Sequence, residues 1–133
     1  MIRKISFITL LVEDQEQALD FYTEKLGFEK RQDDQLKNGI RWLVVGPKDQ
    51  NDIGLVLLRA DSKGSSDAVG HQAGDNVLLI LHTNDCQQTF KDLKKKGVVF
   101  VGTPQERPWG LEVVFKDLYG NKFNLVQPQG WGG

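Results

Sequence analysis

Residues 8–28, ITLLVEDQEQALDFYTEKLGF, contain a strand, a capped helix and a helix stop in direct succession. Residues 5–12 are mostly β-branched or large apolar residues, which favours a strand. Asp14 predicts the helix start, because its carboxylate can accept from the free N–H groups of the first turn, and Gln17 stands where a capping-box partner belongs. Gly27 predicts the helix end, since glycine adopts the left-handed conformation at least cost.

The same succession recurs 71 residues later, with Asp85 and Gln88 in the places of Asp14 and Gln17. A strand over 77–83 precedes this second helix, which ends at Gly97, one residue early. Three further extended segments follow each helix, at 28–31, 40–45 and 53–59 in the first copy and at 98–101, 111–116 and 122–127 in the second. The pattern predicts the α+β class, with βαβββ modules at 1–59 and 76–128.

The two modules are joined by ADSKGSSDAVGHQAGD, residues 60–75, whose Gly, Ser and Asp content is typical of a mobile loop. A βαβββ module covers only one sheet face with its helix, so the other face needs the second module, another chain or a ligand. Two modules facing each other predict one domain, residues 1–133, built as a partly open mixed β-barrel with helices outside and a shared small-molecule cleft. In the tail, 129–133, Trp131 is a candidate for docking.

Composition limits the classes of partner that the protein can bind and indicates its cellular compartment. The 133 residues carry 17 basic and 18 acidic side chains, so no basic surplus favours nucleic acid or an acidic membrane. The apolar run at 5–12 is too short to span a bilayer and lacks a following cleavage site, which predicts a cytoplasmic protein without a membrane segment. The single cysteine, Cys86, excludes an internal disulfide and a cysteine-cluster zinc site.

Three stretches together resemble the vicinal oxygen chelate superfamily, which holds glyoxalase I, extradiol dioxygenases, fosfomycin-resistance enzymes and bleomycin-resistance proteins. They are residues 8–28, residues 81–98 (LHTNDCQQTFKDLKKKGV) and residues 113–128 (VVFKDLYGNKFNLVQP). In the metal-dependent members, the first and last strands of each copy supply four ligands, usually His, Glu or Gln. By position, the resemblance places these ligands at Phe7, Val56, Leu78 and Asn124.

Phe, Val and Leu offer no lone pair to a metal, and a lone Asn carboxamide is a poor ligand. We therefore predict that the chain has no metal and no other cofactor. The bleomycin-resistance proteins are similar in this respect, since they bind their drug in a cleft without a metal, commonly as homodimers. That class also carries a Trp-Gly element before its final hairpin, as RPWGLEVVF does at 107–115.

Strand alternation and the repeat together predict the lining of the cleft. Arg41 corresponds to Glu112 under the 71-residue offset, and the two can form a polar pair across the cleft or be ordinary exposed charges. Trp42 can stack on a planar ligand or pack in the core, whereas Trp109, at a loop-to-strand entry, is expected at the cleft rim, where it can stack on a ligand. His82 can act as an acid, base or donor, or be a solvated strand end. Cys86, just after the helix cap, is interpreted as structural rather than as a reactive thiolate. The candidate ligand-binding residues are Phe7, Thr9, Arg41, Trp42, Val56, Leu78, His82, Trp109, Glu112 and Asn124.

Three functions remain open at this point. The first is a metal-free homodimeric protein that binds a small hydrophobic or aromatic molecule, sequestering a drug, as in antibiotic resistance, or a toxic metabolite. The second is a metal-dependent lyase or dioxygenase of the same superfamily, lactoylglutathione-lyase-like, with catalytic residues unknown. The third is an interaction module whose sheet serves as a dimer interface.

Overall fold

The computed structural model describes residues 1–129, and the chain divides into two compact units after Gln72. This division falls within the linker predicted at 60–75. Each unit is compact by itself. The single domain, the partly open barrel and the shared cleft stay predictions. The predicted docking of Trp131 lies outside the described residues.

The first unit is a four-stranded mixed sheet with the order β1-β4-β3-β2. Strands β1 and β4 are parallel, and the other neighbours are antiparallel. Helix α1 continues as one π-helical turn over Phe21–Lys25. The elements are β1 (Phe7–Val12), α1 (Gln15–Asp20), β2 (Glu29–Gln35), β3 (Arg41–Gly46), β4 (Gly54–Arg59) and α2 (Lys63–Ala68).

The second unit repeats this topology with the strand order β5-β8-β7-β6. Its first and last strands are again parallel, and its other pairs are antiparallel. The elements are β5 (Val77–His82), α3 (Cys86–Lys95), β6 (Val99–Arg107), β7 (Gly110–Lys116) and β8 (Lys122–Pro128). The predicted α+β class and the two βαβββ modules are confirmed.

The helix signals act as the sequence predicts. The Asp14 carboxylate accepts from the Gln17 backbone N–H at 3.0 Å, and Asp85 does the same for Gln88 at 3.0 Å. Gly97, just beyond the second helix, has a φ of 88°, a conformation that other residues adopt only with strain. Both helices are therefore positioned by short-range chemistry that is visible in the sequence.

In each unit an apolar core lies between the helix and one face of the sheet. In the first unit the buried residues of this face and of its helix are Leu10, Val12, Ala18, Phe21, Tyr22, Leu43, Val45, Leu55 and Leu57. In the second unit a series of aromatic contacts runs from Phe90 on α3 through Phe100 and Phe115 to Phe123, with ring centroids 4.7 to 5.7 Å apart. Such pairs add stabilisation beyond the area that they bury.

Two sequence predictions are corrected by the fold. The linker is not a loop throughout, because Lys63–Ala68 forms helix α2, in which Ser62 and Ser65 satisfy each other's backbone N–H groups as a capping box. Strands β2 and β6 extend well beyond the predicted 28–31 and 98–101, since their polar second halves still pair with β3 and β7. Among residues 1–129, no helix is long and apolar enough to cross a membrane.

Candidate functional site

Strand pairing places most of the candidate residues on one face of each sheet. In the first sheet Val56 pairs with both Thr9 and Val44, and alternation adds Phe7 and Trp42 to the same face. This face lies opposite α1, and we call it the first distal face. In the second sheet the face opposite α3, the second distal face, carries His82, Glu112 and Asn124.

The first distal face is built around an aromatic pair. The Phe7 and Trp42 rings meet edge to face, with centroids 5.5 Å apart and planes at 82°. The Trp42 indole N–H donates to the Gln32 side-chain oxygen at 2.6 Å, which fixes the ring on the sheet. Phe7 keeps 44% of its surface exposed, so this aromatic pair presents carbon surface to a ligand.

A glycine makes room beside this pair. Gly54 faces Phe7 across the β1–β4 ladder, and a Cβ atom added to it would lie 2.6 Å from Val44 Cγ1 and 3.3 Å from Phe7 Cδ1. The cleft next to it has a volume of about 280 Å³. Its lining residues are Lys4, Ser6, Phe7, Arg31, Gln32, Val44, Asn51, Asp52, Ile53 and Gly54.

The free edge of β1 is closed by a side chain that the sequence analysis did not single out. The Gln72 amide oxygen accepts from the Leu11 backbone N–H at 2.7 Å, and its amide nitrogen donates to the Thr9 backbone oxygen at 2.9 Å. One amide thus takes the place of a neighbouring strand, which limits the pairing of this edge with another chain. Thr9 itself is exposed on the first distal face.

The remaining apolar candidates differ in accessibility. Val56 lies on the first distal face but is only 1% exposed, so it contributes packing rather than ligand contact. Leu78 falls at a register shift between Val77 and Leu79, where the alternation of β5 is interrupted. Ile80, the next residue on the second distal face, is 63% exposed and is the accessible apolar side chain of this strand.

Arg41 is not on the distal face, and its contacts favour the second alternative from the sequence, an ordinary charged residue paired with its neighbours. It shares the helix-covered face with Leu43, because the two lie two residues apart on β3. Its guanidinium donates to Asp33 at 2.8 and 2.9 Å and to Glu16 at 2.6 Å. This bidentate pairing holds the pKa of Asp33 well below its usual range. Arg41 instead lines a polar cleft of about 270 Å³.

Arg41 and Glu112 lie on different faces of their sheets because the registers of the two sheets differ. Val44 pairs with Val56, whereas Val114 pairs with Asn124, so the two β3-type strands correspond with an offset of 70 rather than 71. Trp42 rather than Arg41 therefore occupies the position that Glu112 has in the second unit. Since side chains alternate between faces, a shift of one residue moves Arg41 to the opposite side of the sheet.

Glu112 is the centre of a polar cluster on the second distal face. Its Oε1 accepts from the Trp109 indole N–H at 2.7 Å and from the Asn124 amide at 3.0 Å. Its Oε2 accepts from Arg107 Nε at 3.3 Å, and the Glu112 side chain is 16% exposed. The cluster therefore joins Trp109, Glu112 and Asn124, three predicted site residues, with Arg107, which the sequence analysis did not select.

The cluster sets the protonation state of Glu112. Burial acts to raise the pKa of this carboxyl group, but the hydrogen bonds from Asn124, Trp109 and Arg107 outweigh it and leave the pKa below its ordinary value. Glu112 is therefore ionised at neutral pH and is a weaker base than a free glutamate. This favours a role in holding a ligand over a role as a general base.

Asn124 has an unused acceptor. Its amide nitrogen donates to Glu112, while its Oδ1 is buried and accepts no hydrogen bond from the described residues. Exchanging the amide oxygen and nitrogen would turn the oxygen toward the Glu112 carboxylate, so the hydrogen bond fixes the orientation. A buried acceptor of this kind costs about 1–3 kcal/mol when it stays unpaired.

His82 and Cys86 lie on different sides of the second sheet. His82, Val126 and Glu112 form one row across β5, β8 and β7, with His82 exposed at the strand end. Cys86 is fully buried against the carbonyl of Leu125, with Sγ at 3.9 Å. Burial raises the pKa of the Cys86 thiol, and the nearby negative charges of Asp85 and Glu112 raise it further. These observations favour the structural interpretation of Cys86.

The residues at the four metal positions do not fit a metal. Phe7, Val56 and Leu78 carry only carbon in their side chains, and Asn124 offers a single neutral amide oxygen, since its amide nitrogen is engaged by Glu112. Within residues 1–129, no group of three or more His, Cys, Asp or Glu side chains is placed to hold an ion. That the protein works without a metal stays a prediction.

Comparisons with known proteins agree with this fold. The family model described as "Glyoxalase/Bleomycin resistance protein/Dioxygenase superfamily" matches residues 4–125. An uncharacterised protein of Shewanella frigidimarina is 40% identical over 96% of the chain and 95% of its own length.

Two solved structures are also similar. The crystal structure of UcmS2 has a TM-score of 0.83 and 38% identity, covering 95% of this chain and 98% of that one. TnmS3, described as an antibiotic binding protein from Streptomyces sp. CB03234, has a TM-score of 0.80 and 34% identity, with coverage of 96% and 98%.

Proposed function

The chain belongs to the Glyoxalase/Bleomycin resistance protein/Dioxygenase superfamily, and we propose that within it the protein binds a small hydrophobic or aromatic molecule without a metal. Its role is then to sequester a drug or a toxic metabolite rather than to transform it. The observation that carries the proposal is the side-chain chemistry of the distal faces. Carbon-only side chains stand at three of the four metal positions, and aromatic surface lies beside them.

The composition of the two faces supports this proposal. Exposed carbon surface comes from Phe7 and Trp42 in the first unit and from Ile80 and Trp109 in the second. Polar groups are few and are held in fixed geometry, as in the Glu112 cluster. Small-molecule sites typically combine a mainly apolar lining with a few placed polar groups.

The likeness to TnmS3 points in the same direction. That protein is described as antibiotic binding, and it shares 34% of its residues and nearly its whole length with this chain. An antibiotic or a similar natural product is therefore a reasonable class of ligand to test first. A role in antibiotic resistance in the cytoplasm, as the sequence predicts, belongs to this proposal.

We include homodimerisation in the proposal. The N-terminal segment before β1 exposes Met1, Ile2 and Ile5, three apolar side chains that a second copy of the chain would bury. Analytical ultracentrifugation at micromolar concentration tests this point directly. We expect a dimer mass, and the double variant with Ser at Ile2 and Ile5 should shift the equilibrium toward monomer.

A ligand screen tests the binding function. Protein purified without chelator is screened by thermal shift against aromatic natural products and antibiotics, and every hit is titrated by calorimetry. We expect at least one ligand that binds with a stoichiometry near one and is not turned over. A hit that raises the melting temperature is expected to do so by mass action.

Variants of the distal face provide the control for this screen. Phe7→Ala should weaken binding, because it removes the exposed half of the aromatic pair. Leu118→Ala, which removes a similarly exposed apolar side chain in the turn between β7 and β8, should leave binding unchanged. Stoichiometric metal in the purified protein, together with metal-dependent turnover of a hit, would instead favour the lyase or dioxygenase alternative.

A further inference from the structure

The cleft beside Phe7 and Gly54 is an open cavity of the first unit, with a volume of about 280 Å³. It is built from the segment before β1, from β2 and from the loop between β3 and β4. This volume is at the lower end of the range of about 300–1,000 Å³ that small-molecule sites span. The cleft therefore suits a ligand of one or two rings rather than a large one.

Arg31 holds one wall of this cleft in place. Its guanidinium donates to the backbone carbonyl groups of Ile53, at 2.8 Å, and of Pro47 and Gln50, so one side chain fixes the loop between β3 and β4. The Arg31 side chain is only 17% exposed, and its ion pair with Glu29 is long, at 3.6 Å. Since carbonyl groups accept hydrogen bonds without cancelling the charge, this wall of the cleft stays positive.

Lys4 brings a second positive charge to the lining. It is exposed, and within residues 1–129 no side chain pairs with its ammonium group. Asp52 is the one acidic side chain among the described residues of the lining, and it pairs with neither Lys4 nor Arg31. Two cations against one carboxylate leave the cleft net positive, and a concave surface concentrates such a field.

Carbon surface lies in the same cleft. The Phe7 ring is held edge to face against Trp42 and keeps 44% of its surface exposed. Gly54 leaves the space beside this ring open, because a Cβ atom there would lie 3.3 Å from Phe7 Cδ1. An aromatic ring and a negative group on one small molecule would therefore both find matching groups in this cleft.

We propose that this cleft selects small aromatic acids, with the ring against Phe7 and the carboxylate toward Lys4 and Arg31, over neutral or cationic molecules of the same shape. This selectivity rests on the proposed binding function and names the ligand class that the first distal face recognises. A carboxylate gains charge-assisted hydrogen bonds from an ammonium group, and these are stronger than bonds between neutral groups. A cationic ligand is repelled by both cations, and Asp52 offsets only part of that repulsion.

The test uses three probes of nearly the same shape and the whole chain. At pH 7, 2-naphthoate is anionic, 2-naphthamide is neutral and 2-naphthamidine is cationic. Each is titrated at low salt into ¹⁵N-labelled protein, and both affinity and location are read from the amide shifts. We expect shifts at Phe7 and at residues 51–54. We expect 2-naphthoate to bind about fivefold or more tightly than 2-naphthamide, with 2-naphthamidine the weakest. Added salt should weaken the binding of 2-naphthoate alone.

Variants locate the selectivity. Lys4→Gln removes a charge at an exposed position, so it should lower the affinity for 2-naphthoate about threefold and leave that for 2-naphthamide unchanged. Lys37→Gln is the matched control. This lysine is also exposed, but it lies in the turn between β2 and β3, at the other end of β3 from the cleft, and does not line it. It should keep the wild-type preference.

The outcomes separate the selectivity from the binding function. Equal affinities for the three probes, or tightest binding of 2-naphthamidine, overturn the selectivity and leave the binding function standing. Shifts that lie outside the cleft, or a preference for 2-naphthoate that Lys4→Gln does not reduce, overturn it as well. If no probe binds while a ligand from the thermal-shift screen does, the selectivity fails alone. If nothing binds in either experiment, the proposed function fails with it.

Discussion

The two distal faces share one topology and differ in chemistry. The first is held together by carbon contacts, with the Phe7 ring set against Trp42 and a glycine where a side chain would collide. The second is held together by hydrogen bonds that converge on Glu112. Trp42 and Glu112 stand at corresponding positions of β3 and β7, so the same position carries an aromatic ring in one unit and a carboxylate in the other.

This difference teaches that the βαβββ scaffold does not determine the chemistry of its distal face. In both units the helix-covered face is apolar and packed. In both, the indole N–H of a tryptophan donates to a side-chain oxygen on the distal face. In the first unit that oxygen belongs to a neutral amide, and in the second to a carboxylate. Function therefore has to be argued from the side chains rather than from the fold.

The largest effect is expected from filling the first distal face. Gly54→Ala should lower the free energy of unfolding by about 1–3 kcal/mol, because the new Cβ atom meets the buried and rotationally stiff Val44. Urea unfolding measures the change. Gly64→Ala in α2 is the control, where nothing lies within 4 Å and the substitution should stabilise by up to about 1 kcal/mol. Equal effects of the two substitutions would contradict the crowding of this face.

The next effect concerns the charge of the second face. Glu112→Gln should cost about 1–2 kcal/mol at pH 7, since it weakens charge-assisted hydrogen bonds. Because the folded-state pKa of Glu112 is lowered, its contribution is complete above the unfolded-state value of about 4.3 and is lost as the pH falls through the folded-state pKa. Unfolding curves of wild type and variant should therefore converge toward low pH. A constant gap would show that the charge is not responsible.

The two tryptophans allow a closer comparison. Trp42→Phe and Trp109→Phe each remove one indole donor, at a cost of about 0.5–1.5 kcal/mol, with the larger loss at the charged Glu112. The loss for Trp42→Phe should not vary with pH, because Gln32 does not titrate. The loss for Trp109→Phe should shrink as the pH falls through the lowered folded-state pKa of Glu112. Identical pH profiles would remove the distinction between the faces.

The smallest effect is expected from Arg41. Its ion pairs with Asp33 and Glu16 are partly exposed, so Arg41→Gln should cost less than about 1 kcal/mol, and less still in high salt. The affinity for a ligand found in the screen should stay within twofold of wild type, because Arg41 lies on the helix-covered face. A large loss of affinity in the calorimetric titration of that ligand would return Arg41 to the binding site.

Features that depend on neighbouring residues were predictable from the sequence. The caps at Asp14 and Asp85 and the stop at Gly97 are local, and both helices were predicted from them. The polar half of β2, QDDQ, was missed because its strand conformation depends on pairing with β3, which no local pattern reveals. Helix α2 was missed because the Ser62 and Ser65 box lies in a stretch whose composition is typical of a loop.

The residues of the site were predictable from the sequence, but the contacts between them were not. Trp109, Glu112 and Asn124 were all named from the sequence, yet their convergence depends on a diagonal contact between β7 and β8. Arg107 stands in the quoted RPWG element, and its pairing with Glu112 across the β6–β7 turn is a signal that was available. Gln72 closes the edge of β1 from more than 60 residues away, and nothing in its neighbourhood predicts that contact.

The most direct test of the central claim is a calorimetric titration of a ligand found in the thermal-shift screen into protein stripped with a chelator, with the metal content measured before and after. We predict binding with the same affinity in stripped protein and in protein to which nickel, zinc or manganese has been restored. Affinity that appears only when one of these ions is present, at one ion per chain, would contradict the account, because the carbon side chains at Phe7, Val56 and Leu78 leave such an ion without ligands.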